Sequence, residues 1–142
     1  MTRKWLLGTA LCIGGCGPRP LAVQEVPVQG ADYAFVGVPD TLSAGPTHFS
    51  YQNIGQRRHE MGIVRLVTGR TFQDAMEAKL PEDSLYGPGV GILITKPGET
   101  ADGKLFADLV PGATYLIWCD FRDSAGAKKH SEMGMVAAFT VR

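Results

Sequence analysis

The chain is poor in the residues that usually build reactive sites. It has three cysteines and three histidines in 142 residues, so only a site of few ligands can be made. Long apolar runs are also missing. Trp5 to Ile13 is apolar but too short to cross a bilayer as a mature helix. Neither charge sign dominates, with 14 Lys and Arg against 14 Asp and Glu; no basic patch points to nucleic acid and no charged block to a tail. His59-Glu60 lacks the second histidine of a zinc-protease helix. Gly87-Pro88-Gly89-Val90-Gly91 lacks the following Lys-Ser/Thr and the helix that a phosphate loop needs.

Glycine and hydrophobic residues are plentiful. At 44% hydrophobic, the chain can bury one domain-sized core. Eighteen glycines and nine prolines imply many turns, which favours an all-β architecture over a helical bundle.

The first residues run from basic (Arg3, Lys4) to apolar (Trp5–Ile13) to small (Gly14, Gly15), the order of an export signal. Ile13-Gly14-Gly15-Cys16 resembles a bacterial lipoprotein signal, with residues 1–16 as signal and Cys16 as the lipidated residue. The alternative is an ordinary signal peptide cut a few residues later. Removing 1–16 takes two bases and no acid, leaving a net charge of about −2. Residues 17–29, with Pro18, Pro20 and Pro27, read as an extended linker, and 30–142 as the domain. Cys12 leaves with the signal and Cys16 is spent on lipid. Cys119 then stands alone in an oxidising compartment, without a disulfide partner.

Within the domain, Asp32–Val38 reads as a first strand. Thr47–Asn53 alternates, with Phe49, Tyr51 and Asn53 inward and His48, Ser50 and Gln52 outward, which assigns His48 to solvent. Asn53-Ile54-Gly55 is a turn, and His59 stands where the next strand, Glu60–Val67, begins. Thr71–Leu80 is the one helical stretch. Thr71 is its N-cap, Asp74 completes a capping box, and Phe72 and Met76 are expected in the core. Glu82–Gly91 reads as a loop. Strands follow at Ile92–Thr95, Lys104–Leu109 and Tyr115–Cys119, and a last one opens at Met135. Tyr115, just after the Pro111-Gly112 turn, suggests a tyrosine corner. Seven or eight short strands with one side helix make a two-sheet Greek-key sandwich or small barrel.

The last two strands carry the chemistry. Cys119 ends one, Met135 opens the other, and His130 lies late in the loop between them. With His59 the set is a thiolate, two imidazoles and a thioether, the ligands of a blue-copper centre. Cys119 and His130 alone would suit a thiol nucleophile and its base, but Met135 and the strand-end setting fit a metal better. Without Met135, the three remaining ligands would also suit zinc.

From about Tyr33 to Arg142 the chain resembles the bacterial cupredoxins. The carriers of that resemblance are Asn53-Ile54-Gly55 before His59, Pro111-Gly112 through Tyr115 to Cys119, and His130 followed by Met135. The resemblance implies an electron-transfer protein, not an enzyme. One copper ion would be held by His59, Cys119 and His130, with Met135 as a long axial ligand. A redox protein partner and a monomeric state are also implied. Combined with the leader, this places a lipid-anchored domain on the periplasmic side of a bacterial membrane. Ten residues, Asp120–Lys129, separate Cys119 from His130, more than in the best-known members. Doubling a loop costs only about 0.6 kcal/mol of closure entropy, so His130 is still expected to fold back. The loop's mixed charges read as solvated. Glu60 follows His59 where the family often has Asn, and its backbone N–H is expected to reach the thiolate. Two other readings stay open: a Cu(I) chaperone or store using Met61 and Met133 as extra thioethers, and a metal-free binding domain.

Overall fold

The computed structural model describes residues 22–77 and 80–142, folded as a sandwich of two sheets. The first sheet holds β1 (Gln24–Ala31), β2 (Ala34–Val36), β4 (Gly45–Asn53) and β7 (Leu105–Leu109), in the order β2-β1-β4-β7. The second holds β3 (Thr41–Leu42), β5 (His59–Leu66), β6 (Tyr86–Thr95), β8 (Thr114–Trp118) and β9 (Val136–Val141), in the order β3-β9-β8-β5-β6. The all-β sandwich expected from the sequence is the one observed. Among the described residues, no helix is long and apolar enough to cross a membrane.

Alternation along the strands builds the core. Val26, Val28, Phe49 and Tyr51 of the first sheet meet Met61, Ile63, Ile117, Phe139 and Val141 of the second, all buried. Phe49 and Phe139 bridge the sheets with ring centroids 5.7 Å apart. The inward and outward faces of β4 are as expected, and His48 lies on the outer face beside Glu25. Tyr115 makes the corner bond: its hydroxyl accepts the Val110 N–H at 3.3 Å.

Four expectations need correction. Residues 24–29 are not linker but most of β1, which pairs in parallel with β4 from Gln24 to Gly30. Pro27 is tolerated because β2 pairs only with Gln29–Ala31, so at Pro27 one side of β1 needs no N–H. The first strand expected at Asp32–Val38 is a turn at Asp32-Tyr33 followed by the short β2. The stretch 82–91 is not a loop: it forms a second helix, α2 (Glu82–Leu85), and the first half of β6. Register shifts opposite Ile63, Val64 and Leu66 let this glycine-rich segment pair as a bulged strand, which blurs its period-two pattern. The expected helix is α1 (Phe72–Glu77), with Ala78 and Lys79 outside the described residues. Its capping box forms, with the Thr71 N–H donating to Asp74 Oδ2 at 2.8 Å and the Asp74 N–H to Thr71 Oγ1 at 3.2 Å. Phe72 and Met76, however, are exposed. Only Ala75 of α1 packs inward, against Val64, Leu66 and Leu116. So short a helix presents one residue to the sheet.

Gly30 is a close-approach position. A Cβ there would lie 2.1 Å from the buried Tyr51 hydroxyl and 3.1 Å from Met135 Cε. We expect Gly30→Ala to destabilise the fold by about 1–3 kcal/mol, since the added Cβ and the buried Tyr51 ring cannot both keep their places. A chemical denaturation midpoint compared with wild type checks this.

Candidate metal centre

Two loops, β4–β5 and β8–β9, deliver the donors to one end of the sandwich. His59 is the first residue of β5 and fully buried. Cys119 directly follows β8, and His130 caps the short 3-10 turn Ser131–Met133. Both are buried. Cys119 Sγ lies 3.9 Å from His59 Nδ1 and 3.5 Å from His130 Nδ1, and the two Nδ1 atoms are 3.0 Å apart. A triangle with these sides has a circumscribed radius of about 2.0 Å, close to a metal–imidazole bond length. Among the described residues this is the one cluster of three His, Cys, Asp or Glu donors near enough to share an ion.

Each imidazole is aimed from behind. His59 Nε2 faces Asp32 Oδ1 at 3.0 Å, and His130 Nε2 faces Asp123 Oδ1 at 3.2 Å. A carboxylate at Nε2 fixes the proton there and leaves Nδ1 as a bare acceptor. Two Nδ1 lone pairs and a sulfur then converge on one point, with no N–H among them and only the weak thiol S–H to share. That arrangement calls for a cation. Burial pushes the His59 pKa down, against the pull of Asp32, and so favours the neutral, ligating ring. Burial also pushes the Cys119 thiol up, opposed by N–H donors from Glu60 and Phe121. A metal would have to supply the stabilisation that holds the thiolate.

The carboxylates are themselves braced. Asp32 Oδ1 accepts the N–H groups of Gln56 and Arg57 at 2.8 and 3.1 Å. Desolvation raises its pKa, but His59 and these two N–H groups outweigh it and hold it below the usual value. Tyr33 donates to Asp123 Oδ2 at 2.6 Å, which with His130 holds that carboxyl low. The Tyr33 ring stands edge-on to His130, centroids 5.2 Å apart, and its φ of 63° is the one left-handed non-glycine conformation among the described residues.

The Asn-x-Gly turn shapes the loop before His59. Asn53 is fully buried; its Nδ2 donates to Arg57 O at 2.7 Å, and its Oδ1 accepts the Gly55 N–H at 2.9 Å. Asn53→Ala would strand both backbone groups, at about 1–3 kcal/mol for each buried polar group left unpaired. We expect a lower melting temperature and weaker metal retention, read by thermal unfolding with and without copper.

Glu60 fills its expected part. Its N–H points at Cys119 Sγ at 3.4 Å, and its carboxylate accepts the Asp120 N–H at 2.8 Å. Met135 is fully buried beside the donors. Its N–H donates to His130 O at 2.9 Å, and its carbonyl accepts the Cys119 N–H at 3.2 Å. The loop from Asp120 to Lys129 is exposed over 122–126, as its mixed charges suggest, and anchored at both ends. The His130 N–H reaches Phe121 O at 2.8 Å, Lys129 pairs with Asp120 at 2.8 Å, and Ser131 Oγ donates to Asp120 Oδ1 at 3.0 Å. Cys16 lies outside the described residues. Asp32, Asp123 and Tyr33 are the contributors that sequence reasoning missed. An acid two residues from a glycine carries no signal by itself, and Asp123 was hidden among the loop's other charges.

The fold is that of the cupredoxins. Similar solved structures include a dithionite-reduced auracyanin of the photosynthetic bacterium Roseiflexus castenholzii, 16% identical, covering 84% of this chain and 97% of that one at a TM-score of 0.57. Auracyanin B is 21% identical over 84% of this chain and 88% of its own, at a TM-score of 0.57. Auracyanin A, a blue copper protein of Chloroflexus aurantiacus, is 17% identical over 85% and 100%, at a TM-score of 0.55. No protein-family model matches the chain, and no curated protein matches it in sequence.

Proposed function

We propose that this chain is a blue-copper electron carrier and not an enzyme. The observation that carries the reading is the convergence of Cys119 Sγ with two bare Nδ1 atoms, each fixed by a carboxylate behind it. The likeness to auracyanins, one of them a blue copper protein, supports the same choice. Copper, when bound, supplies one-electron chemistry between Cu(I) and Cu(II). His59, Cys119 and His130 would hold it, and the Met135 thioether would tune its potential. Ligands pinned at strand ends and by a braced loop keep their places in both oxidation states, which lowers the reorganisation cost. The sandwich core excludes water from the sulfur. Met61 packs in the core and Met133 is exposed on the 3-10 turn, placements that lend the copper-storage reading no extra support.

The deciding experiment adds one equivalent of Cu(II) to the purified protein and records the visible spectrum before and after reductant. An intense thiolate-to-copper band that bleaches on reduction supports the carrier. Absence of the band with tight Cu(I) binding turns the reading to copper handling, and no binding in either state leaves a metal-free domain.

Export, lipidation at Cys16 and attachment to the periplasmic side of a bacterial membrane belong to the same proposal, supported by the order of residues in 1–16. Such a tether would hold a monomeric carrier near membrane redox partners. Cys16→Ala is expected to release the protein from the membrane fraction on cell fractionation.

A further inference from the structure

Resting on the carrier reading, we infer that the arginine-rimmed hollow over His130 is the docking face for an acidic redox partner. Both imidazoles are buried, at 0% and 1% exposure, so no ligand edge meets solvent. The contact leading outward from His130 is its hydrogen bond to Asp123, whose side chain is 25% exposed. Asp123 also lines a hollow of about 330 Å³ with Gln56, Arg57, Arg58, Phe121 and Arg122. Any partner seated there stands one side chain and one hydrogen bond from a metal ligand.

The charges around this hollow are sorted by sign. The acids are engaged by neighbours: Asp32 by His59, Asp123 by His130 and Tyr33, and the half-exposed Asp120 by Lys129 and Ser131. The arginines stay at the rim. Arg58 lies over the Phe121 ring, 5.0 Å from its centroid, and Arg122 donates to the Ala127 carbonyl. Neither has a carboxylate partner among the described residues. Arg57 is 55% exposed and only 3.9 Å from Asp123. A chain with no net charge thus gathers three guanidinium groups at the end that holds its ligands. Clustered like charge of this kind steers the opposite sign into a transient encounter, and arginine forks suit carboxylates.

The test is stopped-flow oxidation of the reduced copper protein by anionic hexacyanoferrate(III) and by cationic tris(phenanthroline)cobalt(III), with polyglutamate as competitor. In the wild type, low salt should favour the anionic oxidant, and polyglutamate should slow it. Arg58→Glu with Arg122→Glu should keep the visible band but lower the anion-to-cation rate ratio by roughly ten-fold or more, and abolish the polyglutamate effect. Arg58→Gln with Arg122→Gln guards against misfolding and should give an intermediate ratio. An intact band with an unchanged ratio in both variants overturns the docking face and leaves the carrier standing. Arginine-dependent binding to anionic lipid vesicles, with no effect of polyglutamate, overturns it in favour of a membrane contact. A wild type with no band removes the carrier reading, and this inference with it.

Discussion

Replacing Cys119 with serine is expected to abolish the visible band and most of the copper affinity while leaving the fold in place. The sulfur is the one donor that can give a strong charge-transfer transition, and the one that strongly favours Cu(I). A serine hydroxyl stays protonated at neutral pH and offers a hard, neutral oxygen instead. The substitution is nearly isosteric at a fully buried site, so no large cavity opens. The N–H of Glu60, which now points at sulfur from 3.4 Å, remains to meet the new oxygen. The cost to stability should therefore stay near the low end of about 1–3 kcal/mol for a disturbed buried polar group. Copper titration followed by absorption, beside thermal unfolding of the metal-free protein, separates the two effects. A variant that keeps the band would remove Cys119 from the site.

Removing Asp32 is the second large effect. Its Oδ1 serves three donors at once: His59 Nε2 and the N–H groups of Gln56 and Arg57. Asp32→Ala frees the His59 ring to turn or change tautomer and loosens the loop leading into it. Loss of such a carboxylate behind a ligating histidine typically weakens metal affinity by about 10–100-fold. We expect that range for Asp32→Ala, measured by competition for Cu(I) with a coloured chelator. Asp32→Asn keeps an oxygen for the two backbone donors and should lose less. Asp123→Ala should free the His130 ring and the Tyr33 hydroxyl but leave the loop's other anchors, at Asp120 and Phe121, in place. If Asp32→Ala and wild type bind copper equally well, the orienting role assigned to Asp32 is wrong.

Not everything in this site was hidden from the sequence. Cys119 and Met135 are separated by a polar loop between two apolar runs, so pairing those runs as β8 and β9 must bring them to one end. His59 opens an apolar strand behind an Asn-x-Gly turn, and β5 pairs directly with β8. Local pattern therefore carried the candidate ligands, the sandwich class and the inner face of β4. It failed where local signals conflict with tertiary pairing. Prolines masked β1, whose partner lies more than twenty residues away on β4. Glycine-bearing bulges masked the first half of β6. The Phe72 and Met76 stripe promised burial, yet α1 has too little sheet beneath it to cover them.

By itself the sequence determined the candidate donor residues and their order, because residue chemistry and strand periodicity are local properties. Only the tertiary structure decided how those donors are oriented. The Asp32–His59 pair joins residues from different loops, Asp123 meets His130 only where their shared loop folds back on itself, and Tyr33 reaches Asp123 across ninety positions of chain. Whether a histidine presents Nδ1 or Nε2 to an ion depends on what stands behind its ring. That neighbour is chosen by packing in three dimensions and leaves no trace in spacing along the chain. The same holds for the arginine rim, whose members come from two loops and become one surface only when Arg58 settles over Phe121.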